Sequence, residues 1–465
     1  MKSGWAMYHR ARRVHLVGIG GSGMSGIAEV LLDLGYRVTG SDLEATVITG
    51  RLRERGARVA TGHDAANVRE VDVVVVSSAV PDDNPEVTAA RELRVPVIKR
   101  AEMLAELMRL KHGVVVAGSH GKTTTSAMVS VALTAAGLDP TSIIGGRPNG
   151  WSSSSRVGGS ELLVAEADES DGSFLHLTPT FALITNIDPE HLEFYGNDVG
   201  ALDAAFLEFT ERVPFWGSVT LCSDDPGVRR IAPRVNRRFA RYGVDEGADL
   251  RMTDVRVDAS GTSFLVRPRG GIELRARIPL LGHHNALNAL GAATIAREVG
   301  VAPAISLQAL AEFRGVDRRY SIRGEERGVL VVEDYGHHPT EIRATLRATR
   351  AAHANRRVIV GFQPHRYSRT KALTEEFSAS FGDADEVLLC PIYAAGEGPI
   401  EGVSSEGLAE CLVSHKPTEV TTSVDDLVER LANRAATGDV ILLLGAGDVH
   451  RAAPLLLKRL REGAQ

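Results

Sequence analysis

Cysteine is scarce in this chain. The three present, Cys222, Cys390 and Cys411, are far apart and form no CxxC pair. A disulfide scaffold and a cysteine-built zinc site are therefore excluded, and a reducing, cytoplasmic setting is expected. Long apolar runs are missing too. The longest, Val73–Val76 and Ile441–Leu444, are strand-sized and far too short to cross a membrane. Met1–Arg13 is basic but lacks the apolar stretch of a signal peptide. Nor is there a basic excess: 53 Lys and Arg against 59 Asp and Glu leave a formal charge of −6, which argues against a nucleic-acid binder. Aromatic residues make up only 5%.

Glycine, by contrast, is abundant at 47 residues. That suits an α/β protein with many tight strand-to-helix turns better than an all-β sandwich. A hydrophobic fraction of 43% with 24% charged is ordinary globular composition. At about 150 residues per domain, the 465 residues suggest three domains.

The order of apolar runs and helical periods divides the chain into 1–112, 113–316 and 317–465. In the first part, Val14–Ile19, Tyr36–Thr39 and Val71–Ser78 read as strands, with helices at Met24–Leu34 and Ala101–Leu110. Alternating strands and helices imply a doubly wound parallel sheet. The second part opens with strand Gly113–Ala117 and helix Lys122–Ala136. It continues with buried strands Leu162–Ala165 and Phe181–Thr185 and a helix over Asn285–Val299. Between Arg251 and Leu280 the pattern alternates with glycine turns, as in a small antiparallel insertion. The third part carries strands at Val329–Glu333, Val358–Gly361, Glu386–Leu389 and Val440–Leu444, a further α/β sheet. No repeat of 20–50 residues is visible, and Ser152–Ser155 reads as a short low-complexity loop.

Two glycine loops carry the chemistry. Gly18, Gly20 and Gly23, with Gly21 and Ser22 between, match GxGxxG between a strand and a helix. Such glycines let a pyrophosphate approach a helix N-terminus, and Asp42 ends the next strand where a ribose hydroxyl would be read. Alone, the pattern admits a dinucleotide enzyme or a turn used only for packing. The second loop, Gly118-Ser119-His120-Gly121-Lys122-Thr123-Thr124, resembles a phosphate loop. Lys122 would reach the terminal phosphates and the Thr123 hydroxyl would meet Mg²⁺. It is a shortened version, because Val116 stands where the longer pattern has its first glycine. A dehydrogenase has no use for this second loop. Glu166, at the end of a buried strand, is a candidate Mg²⁺ ligand ahead of Asp168, Glu169 and Asp171, which also read as a solvated acidic turn. His191 suits a metal ligand, a phosphate contact or a structural histidine. The His283–His284 pair lacks further zinc ligands at a useful spacing, and Asn285 reads as a helix N-cap.

Taken in order, the motifs resemble the Mur ligase family over nearly the whole chain. The stretches are His15–Ala28, Gly118–Thr125, Glu166–Phe174, Asn186–Tyr195, His284–Asn288, Asp334–Glu341 and Gln363–Thr370. The resemblance implies a Rossmann-like N-terminal domain for a UDP-sugar, a P-loop ATPase-type central domain and a Rossmann-like C-terminal domain. It implies an ATP-dependent amide ligase of peptidoglycan precursor synthesis. L-alanine would be added to the lactyl carboxylate of UDP-N-acetylmuramate through an acyl phosphate. The alternative within the family is a recycling ligase that attaches a preformed peptide to the same sugar.

ATP and Mg²⁺ are the implied cofactors, with no nucleic-acid or membrane partner. Thr123 and Glu166 resemble ligands of one Mg²⁺ and His191 of a second. His284, Asn285 and Asn288 align with the adenine side, Arg319 with an ATP-phosphate arginine and Asp334 with a ribose-contacting acid. Arg366 and Arg369 suit a forked grip on a carboxylate or the transferred phosphoryl. Tyr335, His337 and His338 line the amino-acid side, and closure between the second and third parts is expected. Ser119 departs from the family's usual Thr, and Asn149–Val157 from its usual Asn-Ala loop. Two other classes remain open from the residues: a nicotinamide oxidoreductase built on Gly18–Gly23, and a nucleotide sensor without turnover.

Overall fold

The computed structural model describes residues 12–77, 79–413 and 416–463. Three sheets give a three-domain α/β fold. The chain forms two compact units. One comprises Met1–Met252, Arg267–Glu273 and Asn288–Leu310; the other comprises Thr253–Val266, Leu274–Leu287 and Ala311–Gln465.

The first unit opens with β1 (Arg13–Val17), α1 (Ser22–Asp33), β2 (Arg37–Asp42), α2 (Val47–Glu54), β3 (Arg58–Thr61), β4 (Val73–Val76), α3 (Pro85–Glu92), β5 (Val97–Lys99) and α4 (Arg100–Met108). The five strands form a parallel sheet in the order β3-β2-β1-β4-β5. The short edge strands β3 and β5 escaped the sequence reading because neither forms a distinct apolar run.

The second sheet follows with β6 (His112–Ala117), α5 (Lys122–Ala135), β7 (Thr141–Ile143), β8 (Ser155–Arg156), β9 (Leu162–Glu166), β10 (Pro179–Ile184), α6 (Val199–Glu211), β11 (Ser218–Cys222), α7 (Pro226–Ile231) and β12 (Phe239–Gly243). Its order within this unit is β12-β11-β10-β6-β9-β7-β8, parallel except for the β7–β8 pair. At its edge β12 also pairs with the start of β13 (Leu250–Asp258).

The boundary read near His112 separates sheets, not compact units. One apolar cluster takes in Leu16, Ile27 and Leu31 together with Val115, Ala165 and Phe174. Beside that cluster lies a polar contact that the sequence hid. Glu29 on α1 is only 1% exposed. Its Oε2 accepts the Ser153 and Ser155 hydroxyls, each at 2.5 Å, and its Oε1 accepts Arg51 Nε at 3.0 Å. The serine run, read as a low-complexity loop, thus packs inward on Glu29. Ser153, Ser154 and Ser155 are buried, and Ser155 enters β8.

The second unit contains the antiparallel pair β14 (Gly261–Pro268) and β15 (Leu274–Ile278). After α8 (His283–Glu298) and α9 (Pro303–Leu310) come β16 (Ser321–Glu326), β17 (Val329–Asp334), α10 (Pro339–Ala352), β18 (Val358–Phe362), α11 (Tyr367–Ala372), α12 (Thr374–Ser378), β19 (Glu386–Leu389), α13 (Ser405–Val413), β20 (Thr418–Val420), α14 (Val424–Arg434), β21 (Val440–Leu444) and α15 (Ala452–Glu462). The sheet order is β16-β17-β21-β18-β19-β20, with only β16 antiparallel. Alternate residues feed two cores. Val332, Val360, Leu442 and Leu444 fill one face, and Val331, Ile359, Ile441 and Leu443 fill the other. That is why these strands read as unbroken apolar runs. Among the described residues no helix is long and apolar enough to cross a membrane, and Cys222 and Cys390 are buried.

A second buried carboxylate underlies the first sheet. Glu86 Oε2 accepts the Ser41 hydroxyl at 2.5 Å, Oε1 accepts Asn67 Nδ2 at 2.6 Å, and His15 Nε2 lies 3.5 Å away. Burial alone would raise its pKa, but the polar hydrogens of His15, Ser41 and Asn67 outweigh that and hold it at about 2.

Two predictions follow from these carboxylates. Glu29→Ala leaves two hydroxyls and a guanidinium without their acceptor and should cost about 3 kcal/mol, read as a lower denaturation midpoint. For Glu86 the folded pKa lies below the ordinary 4.5. Its contribution is therefore full above pH 4.5 and fades as pH falls towards 2. The stability gap between wild type and Glu86→Gln, about 3 kcal/mol near neutrality, should close over that window in acid titrations.

Candidate active site

Both glycine loops sit at carboxyl ends of central parallel strands. In the first sheet Val17 pairs with Ser41 on one side and Val76 on the other. The Gly18–Gly23 turn therefore emerges between the ends of β2 and β4. Gly18 N and Ile19 N donate to Ser41 O at 2.9 and 3.0 Å. Asp42 Oδ2 accepts Gly20 N at 2.8 Å, so this carboxylate shapes the loop itself. Helices α2, α3 and α6 start with side-chain caps from Thr46, Asn84 and Asp198. Helix α1 starts after Gly21 with no side-chain cap, so its first N–H groups face the loop as anion donors. Ser22 heads this helix. Arg100, which the sequence reading missed, lies against Gly23 and adds a cation there.

The same logic builds the second loop. Helix α5 begins after Gly121, in the left-handed region at φ 79°, again without a side-chain cap. Strand β6 lies between β9 and β10, with Val116 opposite Glu166 and Ala117 opposite Ile184. This register carries Glu166 to one flank of the loop and Thr185-Asn186 to the other. Ser119 N donates to Asn186 O at 3.2 Å, and His120 N to Asn186 Oδ1 at 2.7 Å. His120 O accepts Thr185 Oγ1 at 2.7 Å. His120 Nε2 lies 2.9 Å from Asp188 Oδ2. At Gly118, φ 131°, a Cβ would strike the Thr185 hydroxyl.

On the β9 flank, Thr123 Oγ1 donates to Glu166 Oε1 at 3.0 Å, and Glu166 Oε2 accepts Gly145 N at 2.9 Å. These are hard oxygen donors beside a phosphate loop, a set that fits Mg²⁺. Lys122 Nζ donates to Ser119 O at 3.1 Å and to Glu169 Oε2 at 2.7 Å. Burial alone would lower its pKa, but the charges of Glu169 and Asp168 outweigh burial and hold it above its ordinary value. Glu169 is thus no solvated acid. It is 1% exposed, and Tyr195 donates to its backbone oxygen at 2.5 Å. Thr124 is buried in the first turn of α5. His191, at φ 55°, has Glu190 at 3.5 Å and Glu193 at 3.8 Å from its ring nitrogens. Asn288 of α8 meets the loop at Gly121.

In the second unit, the ends of β17, β21 and β18 are neighbours, because Leu444 pairs with both Asp334 and Phe362. Asp334 is buried, and burial raises its pKa against the pull of Arg319. Both its oxygens hold backbone: Oδ2 accepts Tyr320 N and Oδ1 accepts Gly336 N, each at 2.7 Å. Arg319 lies over the Tyr335 ring at 4.8 Å and 3.6 Å from Glu341. His338 caps α10 through Thr340 N. His337 and His365 sit edge to face. Burial pushes their pKa values down to about 3 and about 4; Arg369 adds to this at both rings and Arg366 at His365, while Glu341 pulls His337 the other way. Both rings are therefore neutral near pH 7. Burial likewise takes His284 down to about 4. Asn285 is not the N-cap that the sequence suggested. Helix α8 already starts at His283, and Asn285 Nδ2 donates back to Leu281 O at 2.9 Å. Arg366, at φ 71°, precedes α11, which carries Arg369.

The Gly121 turn gives a direct test of the loop. A Cβ there would lie 2.7 Å from Asn288 Oδ1, in a left-handed backbone. Gly121→Ala should lower stability by about 1–2 kcal/mol and weaken nucleotide binding at least tenfold. Thermal melts and a nucleotide titration read the two effects.

Known proteins share this arrangement. Family models match in series along the chain. The Mur ligase catalytic domain matches residues 13–112, the Mur ligase middle domain 116–296 and the Mur ligase glutamate ligase domain 318–447. A UDP-N-acetylmuramate--L-alanine ligase of Myxococcus xanthus (strain DK1622) is 52% identical over 453 residues, covering 97% of this chain and 96% of the relative. Among solved structures, the UDP-N-acetylmuramate-alanine ligase of Thermotoga maritima superposes with a TM-score of 0.82 at 29% identity, over 97% of this chain and 99% of that one. A murein peptide ligase of Psychrobacter arcticus superposes with a TM-score of 0.72 at 25% identity, over 97% and 99%. With all three domain models matched in order and half the residues shared with a full-length relative, the chain belongs to the Mur ligase family.

Proposed function

We propose that this chain is an ATP-dependent ligase that joins L-alanine to the lactyl carboxylate of UDP-N-acetylmuramate, a step in building peptidoglycan precursors. The observation that carries the reading is the 52% identity over 97% of the chain to a ligase of that name. Two uncapped glycine-loop helices in one unit support it, since the reaction needs places for a UDP-sugar and for ATP. Residues 1–112, 113–316 and 317–465 are assigned to UDP-sugar binding, ATP binding and the amino-acid side. ATP as co-substrate supports a cytoplasmic setting.

The chemistry assigns the residues. A carboxylate oxygen attacking the γ-phosphate brings anions together, and Lys122, kept charged by Glu169 and Asp168, offsets that repulsion. Thr123 and Glu166, with His191, are the residues to hold Mg²⁺, which when bound would neutralise phosphate charge. Gly118–Thr124 cradle the phosphates. Asn288, with His284 and Asn285, takes the adenine side, and Asp334 the ribose. Arg319 is assigned to the ATP phosphates. Gly18–Gly23 and Asp42 take the UDP-sugar. The acyl phosphate is then attacked by the amine of L-alanine, and the tetrahedral intermediate collapses to amide and phosphate. Arg366 and Arg369 are assigned to grip carboxylate or phosphoryl oxygens through forked hydrogen bonds. Tyr335, the neutral His337 and His338 line the amino-acid side.

Purified protein should release ADP with UDP-N-acetylmuramate and L-alanine together, and ¹⁸O from the lactyl carboxylate should appear in phosphate. Activity with a preformed tripeptide but none with L-alanine would instead assign the recycling reaction. Lys122→Ala should lower kcat at least a thousandfold; turnover at the wild-type rate would overturn the ligase mechanism.

A further inference from the structure

Arg318 precedes the arginine assigned to ATP and takes part in no step derived above. It nonetheless sits at a junction of several hydrogen bonds in the second unit. Its backbone is left-handed at φ 60°, as is that of Tyr320 at φ 45°, so the turn presenting Arg319 is strained on both sides. Bonds from three directions hold that turn. Arg318 O accepts Tyr335 N at 2.7 Å, Arg319 N donates to Val316 O at 3.1 Å, and Tyr320 N donates to Asp334 Oδ2 at 2.7 Å.

The side chain completes the clamp. Arg318 Nε donates to Glu333 Oε1 at 2.8 Å, and Nη2 donates to Gly445 O at 3.0 Å and Gly447 O at 3.3 Å. The guanidinium lies 4.9 Å from the centre of the Tyr335 ring. One planar fork therefore ties the end of β17 to the glycine turn after β21. That turn is tied in its own right to the end of β18, where Gln363 Oε1 accepts Val449 N at 3.0 Å and Nε2 donates to Asp448 Oδ1 at 2.7 Å.

We infer that Arg318 is a positioning residue for the ligation reaction, holding Arg319 and Tyr335 in working geometry by locking the strained turn to the ends of β17 and β21. The inference rests on the reading of Arg319 as a phosphate contact. A lysine cannot substitute, because a point charge on a flexible stem can meet Glu333 but cannot also bridge two carbonyls and cover a ring. The role is separable from folding. Glu333, 3% exposed, keeps a second arginine, since Arg323 Nε donates to its Oε2 at 2.7 Å. Removing Arg318 does not strand a buried charge.

The test compares Arg318→Lys, Arg318→Met, Arg319→Met and the double variant Arg318→Met/Arg319→Met with wild type. L-alanine-dependent ADP release by wild type is measured first; its absence would count against the ligase reading and not against the clamp. The clamp is also read by titrating a non-hydrolysable ATP analogue, which needs no turnover. Both Arg318 variants should melt near the wild-type temperature, keep KM for UDP-N-acetylmuramate within twofold, and lose at least tenfold in kcat/KM for ATP and in analogue affinity. Arg318→Met should add less than twofold on an Arg319→Met background, because both act through one group. Independent multiplication of the two losses would overturn the inference. So would Arg318→Lys kinetics and affinity within twofold of wild type, or a melting loss that accounts for every change.

Discussion

A parallel strand buried on both faces has only its ends left for chemistry. That constraint governs all three sheets. Strand β6 is covered on both sides and flanked in register by β9 and β10, so the first polar residues beyond their carboxyl ends converge. Glu166 and Asn186 lie more than 40 and more than 60 residues beyond the Gly118–Lys122 loop, yet all three meet because their strands stop at the same level. The same holds at β1, where Asp42 reaches the Gly18–Gly23 turn, and at β17, where Tyr335, Gly445 and Gln363 emerge side by side.

Electrostatics then decides what each end can do. Lys122 keeps its charge in a desolvated place because Glu169 and Asp168 outweigh the cost of burial. The C-terminal sheet works the other way at its histidines. His337 and His365 lose their charge to burial and to nearby arginines, leaving Arg366 and Arg369 as the cations of the HRYSR stretch.

Local pattern was enough for much of this. Strands such as Val440–Leu444 and Glu386–Leu389 stand where their apolar runs put them, because burial on both faces leaves no room for polar residues. Both glycine loops were legible because phosphate approach needs glycine, lysine and threonine within a few residues. Short edge strands such as β3, β5 and β20 were not, since an edge has little apolar surface to bury. Ser153 and Ser155 read as part of a low-complexity loop because their partner Glu29 is more than 120 residues away. Asn285 read as a cap because the start of α8 at His283 leaves no local mark.

The amino-acid sequence by itself determined the α/β class, the order of the two glycine loops and the family, since each is written in short-range spacing or in motifs taken in order. Only the tertiary structure decided which acids serve which cations. It made Glu169 the partner of Lys122, Glu166 the partner of Thr123 and Glu333 the shared partner of Arg318 and Arg323. It also set the boundaries of the compact units, because one apolar core runs through the first two sheets. The physical reason is common to both. The value of a charge or an apolar face depends on what desolvates it and what stands opposite, and those neighbours come from distant parts of the chain.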